Sequence, residues 1–392
     1  MELQEHLQGV HFSSILLSIY FILIPFDNTL NLWGSGTLTK YFGIAIIFAI
    51  FFRVLFVNNF IVLKKNIFIS IYIFLLLAVL SLFFSINQTK SIEWFQYLLN
   101  LIMLFQVSVL IELTDNEQIL IEYFCITGGL LVFFELFFGT ASMNYLNSGR
   151  LSLSIAGGSV NPNELSRAML LPICCSIDRL LKAERKSERF LMISLLILLL
   201  ISTVATGSRG GAMAAIIPCL FMIFLNKEVD NRKKIGLLFF IIVLFYIVYI
   251  TFLKDVIDAG VLARLSPEGF LLSNGTGRYE IWGNALRGGN TFSAKDILIG
   301  FGGGTFPYWY EKYYGSQIAS HNTFLGLLFE TGLLGLACIV FMYIRIIRRS
   351  MKNNNIFALS LIFGLIIGAT SMDIMSKKYY WGALVLALMI KA

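Results

Sequence analysis

The sequence predicts an all-α polytopic membrane protein with about twelve transmembrane helices and one large outer loop. Three observations predict it. Of 392 residues, 57% are hydrophobic and only 14% charged, where an ordinary soluble domain carries about 25% charge. The apolar residues form long unbroken runs. Lys and Arg gather in alternate connections between those runs. A soluble enzyme of this size has no means of hiding so much apolar surface. A disordered chain, a collagen and a disulfide scaffold are excluded by the same composition. An outer-membrane barrel would alternate apolar and polar residues instead.

A hydrocarbon core of about 30 Å needs about 20 apolar residues in a helix. In chain order the predicted spans are 11–26, 41–57 with Arg53, 67–89, 94–111, 118–138 with Glu122 and Glu135, and 164–180 with Arg167 and Pro172. They continue with 190–208, 210–226, 235–253, 322–344 with Glu330, 353–372 and 378–391. The N-terminal residues MELQEHLQ are acidic, and no small-residue cleavage site follows the first run. They read as a cytoplasmic start before a retained helix, not as a signal peptide. The two halves share no recurring broken-helix pattern, which argues against a transporter built on inverted repeats.

With the N-terminus inside, the inner loops hold Lys64 and Lys65, then Arg179, Lys182, Arg185, Lys186 and Arg189. They also hold Lys227, Arg232, Lys233 and Lys234, and finally Arg345, Arg348, Arg349 and Lys352. This is the bias expected of cytoplasmic loops. The inner loop near Asp115 and Glu117 is acidic and runs against it. The net charge of +7 is thereby explained by topology and anionic lipid headgroups, and calls for no nucleic acid. Three features fall outside: the loop 139–163, the turn at Gly207-Ser208-Arg209-Gly210, and the long segment 254–321 with Tyr308, Trp309, Tyr310, Tyr313 and Tyr314. Aromatic residues favour the water–lipid boundary. The long segment reads as a surface loop or as a lid over a lipid-linked substrate.

Cys125, Cys174, Cys175, Cys219 and Cys338 all lie in apolar spans without a CxxC pair, as small buried hydrophobes do. His6, His11 and His321 are the three histidines, and metal-ligand spacings are absent. No metal and no cofactor are expected.

His321 stands at the outer mouth of a span, between Ser320 and Asn322. Its imidazole suits proton acceptance near neutral pH, while all three residue types also cap helices. Arg209 sits in Thr-Gly-Ser-Arg-Gly-Gly between two uncharged runs. An Arg there is costly unless paired, functional or snorkelling, and its outer placement opposes the charge bias. Arg278 lies in Gly-Thr-Gly-Arg-Tyr-Glu-Ile-Trp in the large outer segment, with Arg287 and Arg264 nearby. Arg150 and Arg167 lie on or near the same side. Asn163, in Asn161-Pro162-Asn163-Glu164, and Asn322 place amides there too. Arginines bind phosphate oxygens through bidentate hydrogen bonds. Two of them would hold a diphosphate and stabilise a departing pyrophosphate lipid without a metal. The imidazole would deprotonate an attacking sugar hydroxyl. Gly300-Phe301-Gly302-Gly303-Gly304 lacks a strand–turn–helix context and reads as a flexible turn, not a nucleotide site.

The order of these motifs resembles the O-antigen ligase and O-antigen polymerase superfamily of bacterial membrane glycosyltransferases. The pieces are Asn161-Pro162-Asn163-Glu164-Leu165-Ser166, Gly207-Ser208-Arg209-Gly210-Gly211, and Gly277-Arg278-Tyr279-Glu280-Ile281-Trp282 with Ile299-Gly300-Phe301-Gly302 behind it. The last is His321-Asn322-Thr323-Phe324-Leu325 with Glu330-Thr331-Gly332-Leu333-Leu334-Gly335. The resemblance covers residues 160–336. It implies a glycosyltransferase C-class fold, an active site on the periplasmic side of the bacterial inner membrane, and undecaprenyl-diphosphate-linked glycans as substrates. It implies neither a nucleotide sugar nor a metal. By motif, the catalytic roles fall on His321 as base and on Arg209 and Arg278 as diphosphate ligands. Arg287, Asn322 and Asn163 are further substrate-binding candidates.

The expected organisation is therefore N-terminal helices over 1–159, catalytic-half helices over 160–253 and 322–392, and a large periplasmic loop over 254–321. Both termini are expected in the cytoplasm. A polymerase would move the growing glycan onto another lipid-linked repeat unit, with a chain-length regulator as a possible partner. A ligase would move it onto lipid A–core in lipopolysaccharide biosynthesis. The abundance of Phe, Ile, Asn and Lys, a bias common in polysaccharide gene clusters, inclines the reading to polymerase. A lipid-linked oligosaccharide flippase or other transporter is the competing class. It would need charges lining a central cavity, whereas the polar chemistry here collects outside.

Overall fold

The computed structural model describes residues 10–32, 36–57, 65–139, 142–144, 149–155, 158–227, 229–248, 250, 260–261, 266 and 277–391. Arg264, the start of the chain and much of 254–276 lie outside the described residues, as does most of the turn 140–148.

Among the described residues, helical structure falls within each apolar window predicted above. The helices are α1 (Phe12–Leu23), α2 (Leu38–Val57), α3 (Lys65–Phe83), α4 (Gln88–Ser108), α5 (Asp115–Phe137), α6 (Pro162–Ala168), α7 (Leu170–Lys182), α8 (Lys186–Ala205), α9 (Arg209–Leu225) and α10 (Asn231–Val248). After the long outer segment come α11 (Arg278–Gly288), α12 (Ala294–Ile299), α13 (Phe306–Tyr314), α14 (Thr323–Glu330), α15 (Gly332–Lys352), α16 (Ile356–Ala369) and α17 (Lys378–Met389). A small antiparallel sheet of 142–144, 151–155 and 158–159 lies between α5 and α6. Among the described residues, three helices are long and apolar enough to cross a membrane: 38–56, 115–137 and 186–205. The stretches 12–26, 67–83, 209–225 and 356–369 are apolar but shorter.

The core is unusually apolar. Every residue of α17 is buried, packed against α16 and α4, while α1 packs on α5, and α9 on α16. The rim is apolar as well. Phe56 is 80% exposed and Phe239 69%, a surface suited to lipid chains and costly in water.

Charged and polar side chains sort to the two ends. At one end Arg53 pairs with Glu117 at 3.0 Å, with Ser14 Oγ donating to the same carboxylate at 2.6 Å. Arg179 meets Glu188 there at 3.5 Å, and Lys391 meets Glu112 at 3.2 Å. The acidic loop that opposed the charge bias is thus neutralised in part by Arg53. At the other end Lys377 pairs with Glu164 at 2.6 Å, and Lys378 Nζ donates to Asp27, Thr37 and Thr39. Connections that alternate along the chain therefore meet at the same end.

Two predicted spans are each split. The 164–180 window divides at Met169 into α6 and α7. The 322–344 window divides between Glu330 and Gly332, where Gly332 takes φ +69°. The carbonyls of Phe329 and Glu330 accept hydrogen bonds from Phe301 N at 2.8 Å and Gly302 N at 3.0 Å. Carbonyls freed at a helix break need such partners. This corrects the reading of residues 300–304 as a flexible turn. A Cβ on Gly300 would lie 2.6 Å from the Glu330 backbone, and one on Gly303 2.1 Å from the Trp94 ring. The glycines are a close-packed crossing, not a loose loop.

Gly303→Ala should therefore lower stability by about 1–3 kcal/mol through overpacking. Gly236→Ala, in α10 with open space around its Cβ position, should be neutral or stabilising by up to about 1 kcal/mol. Thermal unfolding of both variants in detergent checks the contrast.

Candidate active site

The site collects at the end that carries Glu164, Lys377 and Lys378. Asn161 starts α6 by accepting a hydrogen bond from Asn163 N at 2.8 Å, with Pro162 at the first helical position. Asn and Pro are favoured at those positions because they satisfy or lack the orphan amides. The Asn163 side chain is thereby turned to Arg150, whose Nη2 donates to Asn163 Oδ1 at 2.8 Å. Arg150 Nε donates to the Thr206 carbonyl at 2.8 Å. That carbonyl belongs to the turn where Gly207 takes φ +59° against the Arg150 side chain. Ser208 then caps α9, and Arg209 is its first residue.

Arg167 lies in α6, nearly fully buried. It donates to the carbonyls of Asn163 at 2.7 Å and Gly368 at 3.3 Å, and to Ser371 Oγ. A Cβ on Gly210 would sit 2.7 Å from its Nη2. The two glycines after Arg209 thus let α9 approach α6 around a buried guanidinium.

The third wall comes from α11. Gly277 adopts a left-handed conformation, and Arg278 opens the helix. One turn later Trp282 Nε1 donates to the Ser320 carbonyl at 2.9 Å. This bond ties the Arg278 helix to the turn that carries His321. His321 has φ +49°, a region that non-glycine residues seldom occupy. Its neighbours hold it there. Asn322 N donates to Ser320 Oγ at 3.4 Å, and Asn322 Oδ1 caps α14 by accepting from Phe324 N and Leu325 N. On the far side Thr323 Oγ1 donates to the Met372 carbonyl at 2.7 Å and accepts from Ile374 N at 3.0 Å.

Among the described residues, Arg150, Asn163, Arg278, Glu280, Tyr310 and His321 line one cleft of about 690 Å³. The structure thus brings together His321, Arg278 and Asn163 of the predicted site residues. Arg209 and Arg287 do not line this cleft. Arg209 stands at the start of α9, and Arg287 is exposed and bonded to Asn284 Oδ1 at 2.6 Å. The Asn322 oxygen is committed to its helix. Arg150, noted in the sequence only as an outer arginine, lines the cleft, as do Glu280, Asn284, Tyr310 and Tyr314, none of which was a predicted site residue. For Arg150 the signal was present, since an Arg on the outer side opposes the charge bias as Arg209 does. Tyr310 gave no such signal, because an aromatic residue near the membrane boundary needs no special cause.

Burial pushes the His321 imidazole below its ordinary pKa, and the positive charges of Arg278 and Arg167 push it further in the same direction. A depressed value leaves the imidazole neutral near pH 7, able to accept a proton. Among the described residues no cluster of three or more His, Cys, Asp or Glu is placed to hold a metal ion. The arrangement can bind a multiply charged anion with guanidinium groups and can deprotonate a neighbouring hydroxyl. Three of the five charges that the sequence placed within spans are occupied structurally: Arg53 by Glu117, Arg167 by backbone carbonyls, and Glu330 by Phe306 N at 3.3 Å.

NMR titration of the His321 imidazole should give a midpoint below about 6.5, the ordinary value for histidine. Arg278→Gln should raise that midpoint, because removing a nearby cation makes the protonated ring less costly. A midpoint unmoved by Arg278→Gln would contradict the electrostatic coupling.

A family model described as O-Antigen ligase matches residues 194–340. The matched segment contains Arg209, Arg278 and His321 and runs from within α8 into α15. No curated protein matches the chain. The match shows that residues 194–340 are similar to that family.

Proposed function

We propose that the protein is an O-antigen polymerase of the bacterial inner membrane. It transfers a growing glycan from undecaprenyl diphosphate to a lipid-linked repeat unit. The observation that carries this reading is the meeting of Arg278 and a neutral His321 in one cleft beside Arg150 and Asn163. In the proposed step His321 accepts the proton of an acceptor hydroxyl. The hydroxyl oxygen attacks the anomeric carbon of the donor. The bond from that carbon to the diphosphate oxygen breaks, and its electron pair leaves with undecaprenyl diphosphate. The imidazolium then returns its proton to solvent or to the released diphosphate. Arg278 holds the diphosphate from the cleft, and Arg209 supplies a second guanidinium from the start of α9. Such charge stabilisation needs no metal.

The proposed topology follows the charge sorting. Twelve spans cross the membrane with both termini in the cytoplasm, and the cleft faces the periplasm. Residues 277–321 of the predicted large loop fold into α11 to α13 over this face. A chain-length regulator is the proposed protein partner. Transfer to lipid A–core by a ligase is the second reading, favoured by the description of the matching family. Both reactions share the donor chemistry.

A lipopolysaccharide gel of a host lacking the gene separates them. Core with a single repeat unit and no ladder supports the polymerase. Core without any repeat, with lipid-linked polymer accumulating, supports the ligase. An unchanged ladder sinks both for this glycan. His321→Ala should fail to restore the ladder while still inserting in the membrane. Arg278→Lys should lose activity at least about tenfold, because an ammonium cannot reproduce bidentate phosphate binding. Chelators should leave transfer unchanged, and inhibition by them would contradict the metal-free step.

A further inference from the structure

The lining of the cleft falls into two chemical sets. Arg150, Arg278, Glu280 and His321 are charged or titratable. Asn284, Tyr310, Tyr314, Ser316 and Ile318 carry no charge. A diphosphate is recognised by the guanidinium groups and gains nothing from the uncharged set. Three of the uncharged side chains are also held rigidly. Tyr314 Oη donates to the Asn284 carbonyl at 2.7 Å, and Asn284 Nδ2 donates to Tyr310 Oη at 2.9 Å. The two rings lie 4.8 Å apart on α13 and tilt by 35°. Tyr310 is buried, while Tyr314 stays 38% exposed. A fixed aromatic face flanked by amide and hydroxyl groups suits a neutral pyranose, whose apolar ring face packs on an aromatic side chain while its hydroxyls bond at the edge.

We propose that Tyr314, supported by Tyr310 and Asn284, forms the subsite for the acceptor sugar. This rests on the glycosyl-transfer reading of the cleft. In that reading the donor is fixed by its diphosphate on Arg278. The attacking hydroxyl needs its own sugar oriented, since transfer depends on holding both reactants in register.

The test uses purified full-length protein in nanodiscs and two probes. One is the lipid-free repeat-unit oligosaccharide released from the host polysaccharide by mild acid. The other is undecaprenyl diphosphate without glycan. Saturation-transfer NMR and calorimetry measure binding. Tyr314→Ala should weaken oligosaccharide binding about five- to tenfold and leave undecaprenyl diphosphate unaffected. Tyr314→Phe, which keeps the ring, should stay within about twofold of wild type and guards against misfolding. Arg278→Ala should show the reverse pattern, losing undecaprenyl diphosphate and keeping the oligosaccharide. Unaltered oligosaccharide binding by Tyr314→Ala would overturn the subsite. Wild-type protein that binds the diphosphate but not the oligosaccharide would overturn the subsite while leaving the donor reading intact. Binding of neither probe would overturn both.

Discussion

Two backbone hydrogen bonds, from Phe301 N to the Phe329 carbonyl and from Gly302 N to the Glu330 carbonyl, hold the outer segment to the bundle. They exist because the helix that begins at Asn322 stops at Glu330 and leaves those carbonyls without their usual partners. In hydrocarbon such groups must be satisfied by protein. Phe301 reaches them because its neighbours Gly300 and Gly302 carry no Cβ; one on Gly300 would lie 2.6 Å from the Glu330 backbone. From this seam α12 and α13 are set on one side and α14 on the other. The Ser320–His321 turn bridges them, so the place of the imidazole follows from how the break is mended. The aromatic cluster of Phe292, Phe306, Trp309 and Phe329 fills the space behind the seam.

Much of the helical framework was legible in the sequence. Unbroken apolar runs specify helices with little ambiguity at such length, and caps such as Asn161, Ser208 and Asn322 announce where they begin. The breaks at Met169 and Glu330 were not legible as breaks, because the apolar runs continue through them. Whether a Gly332 in such a run stays helical is decided by what packs against it, here the backbone of Leu298 and Ile299. The glycine run failed for the same reason. Composition suggests freedom, while the close approach of another chain segment removes it.

The site was legible in part. Charge bias assigns Arg209, Arg278 and His321 to one end, but a one-dimensional bias carries no lateral position. The pairing of Arg278 with His321 depends on the Trp282–Ser320 bond between residues distant in sequence. Arg150 enters through its bonds to Asn163 and Thr206, which join the α5–α6 connection to the α8–α9 turn. That junction explains why two side chains that look like ligand groups spend hydrogen bonds on the protein itself. They give the cleft a rigid wall, and rigid walls are what make charge stabilisation effective.

The last helix bears on how the molecule is made. Lys378 Nζ, at the start of α17, is the donor to Asp27, Thr37 and Thr39 from the connection between the first two helices, and Lys391 at its end meets Glu112. A ribosome delivers these groups in the opposite order. The early hairpin is therefore made with a carboxylate and two hydroxyls still lacking their cation, which arrives only with Lys378. Closure of the bundle therefore waits for α17, which is buried on every face and follows in the chain the elements it packs against.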